Sequence, residues 1–175
     1  GTSFEDLELY KKSGLTHIEF GTESFSDPVL KSYGKEFNFN DILNYTQMCR
    51  ELKIYNAHFL IIGGYGETEE TLEQTFERSK LLPWTVFFPF IGMRIYPHTP
   101  LYKIAIDEGV ITADDDLMES KYYLAEGVDL SMKKLKDQAL ETGRKWVFPD
   151  EDHSKILKKM KSRGKRGPLW EFLVN

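Results

Sequence analysis

The sequence predicts an α/β protein built on a parallel sheet. Strand-like segments alternate with helix-like segments through the first two thirds of the chain, and this order indicates consecutive right-handed strand–helix–strand crossovers. One strand, Tyr55 to Ile62, is apolar along almost its whole length. Such an even apolar density is typical of a strand that is covered on both faces, as in a parallel sheet.

The individual elements follow from local patterns. In the first strand Ile18 and Phe20 alternate with polar neighbours, and Asn40 is predicted to cap the helix that follows. In the third strand Pro89 and Gly92 indicate a bend or bulge. The predicted strands are residues 16–22, 55–62 and 85–96, and the predicted helices are residues 4–13, 29–33, 41–53, 69–82, 100–108, 132–147 and 152–161.

A glycine-rich turn joins the second strand to its helix. Gly63, Gly64 and Gly66 let the backbone turn sharply and let a ligand approach the main chain closely. Thr68 is predicted to cap the helix, whose free N–H groups favour polar or anionic ligand groups, and Glu67 to stabilise the helix start through the macrodipole. The turn lacks both the P-loop lysine and the spacing of a dinucleotide fingerprint.

Composition limits the classes of function. The 175 residues are 41% hydrophobic and 29% charged, with a net charge of −5, which suits one globular domain with or without an appendage and disfavours nucleic acid as a partner. No apolar run reaches membrane-spanning length, so we predict a cytoplasmic protein. A lone cysteine, Cys49, excludes an internal disulfide and a cysteine-based metal site formed by this chain alone. No metal-binding residue is predicted.

The character of the sequence changes after about residue 125. We predict one domain over residues 1–125 and a helical C-terminal extension over residues 126–175. The basic run within residues 155–166 is interpreted as a solvated face, with contact to nucleic acid or an acidic partner as the alternative. The apolar segment 168–174 is predicted to dock on the body of the protein.

Three segments in order carry a family resemblance. Residues 18–30 contain Gly-Thr-Glu-Ser before a Ser-Asp-Pro-Val-Leu helix, residues 59–68 contain the glycine turn, and residues 94–111 contain Tyr-Pro-His-Thr-Pro-Leu. Together they resemble the second half of the barrel of the radical S-adenosylmethionine (SAM) superfamily, over about residues 15–125. The subset that they resemble most is the cobalamin-binding proteins related to the anaerobic magnesium-protoporphyrin IX monomethyl ester cyclase. Tyr65 and His98 stand where that family often has proline and glycine.

The resemblance implies a fold and an activity. The fold would be a partial TIM-like barrel of parallel strands, lacking the N-terminal half that carries the Cys-x3-Cys-x2-Cys loop for a [4Fe–4S] cluster. The intact protein would be an iron–sulfur oxidoreductase that cleaves SAM reductively to a 5′-deoxyadenosyl radical and acts on an unknown small molecule, tetrapyrrole-like or lipid-like. Cobalamin is a further cofactor of the subset. This chain alone would be inactive, and no catalytic residue is predicted in it.

The resemblance also implies cofactor-binding residues. Glu23 would accept hydrogen bonds from the SAM ribose, and its alternative is a structural carboxylate. Ile62, Gly63 and Gly64 would line the adenine. Independently of the resemblance, Arg94 is the only charged residue in the predicted strand 85–96 and needs a partner. It would bind a carboxylate of SAM or substrate, with a structural salt bridge as an equal alternative, and Tyr96 and His98 would contact substrate.

Two further expectations concern the chain as a whole. A non-catalytic α/β ligand-binding or interaction module is the alternative to an enzyme fragment. Half a barrel leaves sheet edges and an apolar inner face exposed. We therefore expect either self-association or coverage of the sheet by the C-terminal helices and the Trp170 segment.

Overall fold

The central sheet of the computed structural model contains four parallel strands in the described residues, which are 2–167 and 169–174. Their order across the sheet is β1 (His17–Glu23), β2 (Tyr55–Ile62), β3 (Thr85–Ile91) and β6 (Lys145–Trp146). A separate antiparallel pair consists of β4 (Met93–Arg94) and β5 (Tyr122–Tyr123). The α/β class and the partial parallel barrel are confirmed. Gly1, Pro168 and Asn175, which belong to the predicted domain ranges, lie outside the described residues.

Seven α-helices and one short 3₁₀-helix accompany these strands in the described part of the chain. Among those residues, no helix combines the length and apolar content that a membrane crossing needs. The helices are α1 (Phe4–Lys12), α2 (Asp27–Ser32), α3 (Phe39–Glu51), α4 (Glu69–Ser79), α5 (Pro100–Asp107), α6 (Met132–Glu141) and α7 (Ser154–Ser162), and the 3₁₀-helix is Trp170–Leu173.

Side-chain caps decide where the helices begin. Thr68 caps α4 by accepting from the Thr71 backbone N–H at 3.3 Å, as predicted. The prediction that Asn40 caps α3 is wrong. Asn38 is the cap, because its Oδ1 accepts from the Asn40 and Asp41 backbone N–H groups, and the helix therefore starts two residues earlier.

The helix-covered face of the sheet holds the main hydrophobic core. Leu60 and Ile62 of β2 and Phe87 of β3 are buried there against side chains of α2, α3, α4 and α6. The extension contributes to the same core through Leu135 of α6 and Phe148 after β6. The predicted helix 132–147 is corrected here, because it ends at Glu141 and residues 145–146 add a fourth strand to the sheet. The domain boundary at residue 125 stays a prediction.

The opposite face, called the inner face, is partly covered by the C-terminal segment. Trp170 packs on Ala57 of β2 and Val86 of β3, and its indole N–H donates to Glu19 Oε1 of β1 at 2.8 Å. Burying an indole satisfactorily requires a partner for its N–H, and Glu19 supplies that partner. The C-terminal segment therefore docks on the sheet through both apolar packing and a hydrogen bond.

Gly92 breaks the predicted strand 85–96 into β3 and β4. Its φ of +81° is a conformation that glycine adopts without strain. Its N–H donates to the Ile62 carbonyl oxygen at 2.7 Å, and a Cβ at this position would lie 3.0 Å from the Tyr123 carbonyl oxygen. The backbone thus changes direction at the end of the sheet where β2 and β3 finish.

We expect Gly92→Ala to lower the free energy of unfolding by about 2–3 kcal/mol, because it combines left-handed strain with a backbone clash. Gly109→Ala is the matched control, since Gly109 has a φ of +71° and open space around it. The control should cost only about 1 kcal/mol. Urea unfolding of both variants measures the difference, and equal losses would contradict the clash.

Candidate functional site

The predicted ligand-binding residues Glu23 and Gly63 lie at the same end of adjacent parallel strands. Glu23 is the last residue of β1 and pairs with Leu60 of β2, and Gly63 directly follows β2. In parallel α/β sheets the carboxyl ends of the strands are where ligands bind. We call Glu23, Tyr33, Lys35 and residues 63–67 the strand-end site.

Glu23 adopts an unusual conformation at this site. Its φ is +71°, and the pairing of β1 with β2 shifts between Gly21 and Glu23. Left-handed backbone at a residue other than glycine is costly and is concentrated at functional sites. The side chain is 25% exposed, and Lys35 Nζ lies 3.2 Å from its Oε1. Lys35 contacts only one carboxylate oxygen in this pair, so Glu23 retains acceptor capacity toward a ligand hydroxyl.

The glycine turn is fixed by groups of the protein itself. The Gly63 N–H donates to the Glu67 carboxylate, and the Gly63 carbonyl oxygen accepts from the Ala125 N–H at 2.8 Å. The space that a Cβ would take at Gly63 is filled by the Leu130 side chain. Both main-chain polar groups of Gly63 are therefore used inside the protein, and its contact with adenine stays a prediction.

The end of α2 holds the turn in place. Ser32 Oγ lies 2.9 Å from the Tyr65 carbonyl oxygen. Tyr33 Oη would lie 2.1 Å from a Cβ built on Gly64, so Tyr33 packs directly on the turn and only glycine fits beneath it. Lys35, which binds Glu23, follows two residues later in the chain. One short segment thus contacts both β1 and the turn after β2.

Glu67 is a buried carboxyl group that the sequence did not reveal. It is only 4% exposed, and burial raises its pKa to about 7 although the Gly63 N–H opposes the shift. Burial, with Glu67 and Glu23 nearby, also raises the pKa of the Tyr33 hydroxyl. Neither Glu67 Oε1 nor Tyr33 Oη has a hydrogen-bond partner among the described residues. The sequence indicated Glu67 only as a residue that stabilises the helix dipole. It did not predict the hydrogen bond between Glu67 and Gly63, which the spacing of four residues could have suggested.

The other predicted residues lie outside this set of contacts. The Ile62 side chain is buried in the main core. The Arg94 guanidinium lies 4.8 Å from the Tyr96 ring centroid, and within residues 2–167 and 169–174 no ion pair involves Arg94 and its Nε has no hydrogen-bond partner. Tyr96 is 51% exposed. The structure therefore gives no support to the salt-bridge alternative for Arg94, and the SAM or substrate roles of these residues stay predictions.

An iron–sulfur cluster has no ligand set in the described part of the chain. Cys49 is buried beside Leu7 and Ile54, and burial raises the pKa of its thiol to about 11, which keeps it protonated rather than as the thiolate that binds iron. Within residues 2–167 and 169–174, no group of three or more His, Cys, Asp or Glu side chains is placed to hold a metal ion. Cluster ligands would have to come from outside these residues.

Comparison with known proteins supports the family resemblance. The sequence model of the Radical SAM superfamily matches residues 1–78, the segment that carries Glu23 and the glycine turn. Residues 1–78 are therefore similar to the radical SAM superfamily. Arg94 and Tyr96 lie beyond the matched segment.

Individual relatives extend this comparison. Over 109 residues, 59% of this chain, the sequence is 31% identical to the anaerobic magnesium-protoporphyrin IX monomethyl ester cyclase of Cereibacter sphaeroides, and over 89 residues, 48% of this chain, it is 28% identical to that of Rubrivivax gelatinosus. The matches cover only 17% and 16% of those relatives. The resemblance to radical SAM proteins of the cyclase type is confirmed, and these homologues are enzymes.

A solved structure shows the same fold over nearly the whole chain. The radical SAM methyltransferase TsrM of Kitasatospora setae, with cobalamin and a [4Fe–4S] cluster bound, superposes on 98% of this chain and 40% of that protein, with a TM-score of 0.74 and 17% identity. The superposition includes the C-terminal extension. The extension therefore has a counterpart in the fold of a larger protein.

Proposed function

We propose that this chain is the SAM-facing later part of the catalytic barrel of a radical SAM enzyme. The observation that carries the proposal is the juxtaposition of Glu23 and the glycine turn at the carboxyl ends of β1 and β2. These two features belong to the segment that matches the superfamily. An acidic side chain next to a glycine turn suits a nucleoside, which offers ribose hydroxyls and a flat base.

The residues of the strand-end site would bind and orient SAM. The Glu23 carboxylate would accept from the ribose hydroxyls while Lys35 holds one of its oxygens. Gly63 and Gly64, on which Leu130 and Tyr33 pack at the positions where a Cβ would stand, would line the adenine. Arg94, whose Nε lacks a protein partner in the described residues, would bind a carboxylate of SAM or substrate.

The cleavage of SAM and the radical chemistry would be supplied by the cofactors, whereas the protein would bind and orient them. A reduced [4Fe–4S] cluster, held by cysteines outside this chain, would supply the electron that divides SAM into methionine and a 5′-deoxyadenosyl radical, which takes hydrogen from the substrate. Cobalamin, which TsrM is described as binding, is a further cofactor that we propose for the intact protein. Because the described residues provide no ligands for the cluster, we expect this chain alone to be inactive.

The substrate that we propose is an organic small molecule, tetrapyrrole-like by analogy with the cyclases or otherwise lipid-like. The first half of the barrel would pair with the exposed edge of β1, which has a neighbouring strand on one side only in the described residues. Without that half, the unpaired edge favours self-association.

We expect Glu23→Ala to weaken the binding of 5′-deoxyadenosine by about tenfold to a hundredfold, the effect of losing hydrogen bonds to a charged acceptor. Isothermal titration of the 175-residue chain with this nucleoside measures the change. Glu36→Ala is the matched control, because Glu36 is an exposed carboxylate close to Glu23 in the sequence. Binding that is equally strong in the wild type and Glu23→Ala would contradict the proposal and favour a non-catalytic ligand-binding module.

A further inference from the structure

A cavity of about 320 Å³ lies between the inner face of the sheet and the C-terminal segment. Its lining is apolar except for Glu19 and His153. Its lining side chains include Phe59 of β2, Phe88 of β3, Ile156, Leu157 and Met160 of α7, and Trp170.

Trp170 is one of the residues that line this cavity. It packs on Ala57 and Val86, which are paired residues of β2 and β3. Phe59 and Phe88 are also paired and lie two residues further along the same strands, on the same face. The indole N–H of Trp170 donates to the Glu19 carboxylate, so it has a hydrogen-bond partner within the protein. Trp170 therefore lies on the side of the cavity nearer the strand starts, and the paired Phe59 and Phe88 lie nearer the strand ends.

An aromatic wall leads from the cavity toward the strand ends. The Phe59 and Phe88 rings lie 5.1 Å apart at an interplanar angle of 15°, and the Phe59 and Phe90 rings lie 6.0 Å apart at 19°. Phe90 is 51% exposed and is the residue before the end of β3. Three nearly parallel rings thus form a surface that continues toward the end of the sheet where Glu23 and Gly63 lie.

We propose that this cavity binds the planar, aromatic or conjugated part of the substrate, with Trp170 as the side chain that limits how deeply it enters. The volume lies at the small end of the range for ligand cavities. Parallel aromatic rings favour a flat π system beyond simple apolar burial, whereas a saturated, bulky molecule gains no such stacking. Identifying the bound molecule as the substrate rests on the proposed function, but the binding itself does not.

The first test uses N-phenyl-1-naphthylamine, an uncharged aromatic probe whose fluorescence rises in apolar surroundings. We expect Leu157→Glu to raise the dissociation constant of the probe by about tenfold or more, because the bound probe would desolvate the new carboxylate. Leu140→Glu is the matched control, since Leu140 is an 80% exposed leucine of α6 outside the cavity lining. Unchanged binding in Leu157→Glu, or an equal loss in Leu140→Glu, would overturn the proposal.

The second test needs no variant. Naphthalen-2-ol, 1-adamantanol and dodecanoate compete with the probe on the wild-type chain, and we expect the planar naphthol to displace it at a concentration about tenfold lower than either of the others. Equal or better displacement of the probe by adamantanol would overturn the preference for planar ligands. Better displacement by dodecanoate would also overturn it and would indicate that the cavity binds a lipid-like molecule.

A third measurement separates this site from the proposed SAM site. Glu23→Ala should leave the affinity for the probe unchanged while it weakens 5′-deoxyadenosine binding. If the probe binds and the nucleoside does not, the proposed function fails and the cavity remains a binding site. If the nucleoside binds and the probe does not, the cavity proposal fails alone.

Discussion

Replacing Glu67 with glutamine is expected to stabilise the protein progressively, relative to the wild type, as the pH rises. The difference in the free energy of unfolding between Glu67→Gln and the wild type should grow by about 3 kcal/mol between about pH 4.5 and pH 7.5. The cause is burial, which leaves Glu67 4% exposed and raises its pKa from 4.5 to about 7.

The direction follows from the protons bound by each state. Below pH 4.5 the carboxyl group is protonated in both the folded and the unfolded protein, so it causes no pH dependence. Between the two pKa values the unfolded chain has released the proton and the folded protein retains it, so the wild type loses stability as the pH rises. Glutamine stays neutral throughout and can still accept from the Gly63 N–H.

Urea unfolding at several pH values across this window measures the difference. Glu70→Gln is the matched control, because Glu70 is an exposed residue of α4 three positions away. The free energy of unfolding of the control should change with pH in parallel with that of the wild type. A difference between Glu67→Gln and the wild type that stays constant from about pH 4.5 to pH 7.5 would show that Glu67 is not protonated in the folded protein.

The parts of the fold that the sequence predicted correctly depend on local patterns. Thr68 and the residues after it form a capping box whose partners lie three positions apart. The uniform apolar character of β2 indicated burial on both faces. Leu60 and Ile62 are buried in the main core on one face, and Ala57 is buried against Trp170 on the other. Because carboxyl ends of parallel strands meet at one edge, Glu23 and Gly63 were correctly expected at the same end of the sheet.

The features that the sequence did not predict depend on contacts between distant residues. Leu135 and Phe148 enter the main core only because α6 and β6 return to the sheet. The buried Glu67 carboxylate accepts from the Gly63 N–H inside a turn on which Tyr33, from another part of the chain, packs. Neither effect leaves a periodic pattern in the sequence, and two-residue strands such as β6 are too short to show one.

A second buried titratable group, His58 of β2, acts on stability in the opposite direction. Its Nδ1 lies 2.6 Å from Thr22 Oγ1 and its Nε2 lies 3.2 Å from Thr46 Oγ1. The Thr46 hydroxyl donates to the Ile42 carbonyl oxygen, so it accepts from a protonated Nε2, and Nδ1 accepts from the Thr22 hydroxyl. Both ring nitrogens of a neutral imidazole are thereby satisfied, and full burial lowers the pKa from 6.5 to about 3.

We therefore expect His58→Gln to gain stability relative to the wild type as the pH falls. Between the two pKa values the histidine is protonated in the unfolded chain and neutral in the folded protein. The free energy of unfolding of the wild type therefore falls by about 3 kcal/mol relative to that of the variant from about pH 7 to pH 4. Glutamine does not titrate, and its different shape adds only an offset that is independent of pH. Urea unfolding gives the comparison, with the exposed His98 changed to asparagine as the control.

Glu67 and His58 make opposing contributions to the pH dependence of stability. Between about pH 4.5 and pH 6.5 the proton linkages of Glu67 and His58 have opposite signs, so their contributions cancel in the wild type. In this window, measured relative to the double variant, Glu67→Gln should gain stability with rising pH and His58→Gln should lose it, while the curve of the double variant should run parallel to that of the wild type. Single variants with slopes of the same sign would contradict this account, because opposed slopes require that the folded protein keeps the Glu67 proton and excludes the His58 proton.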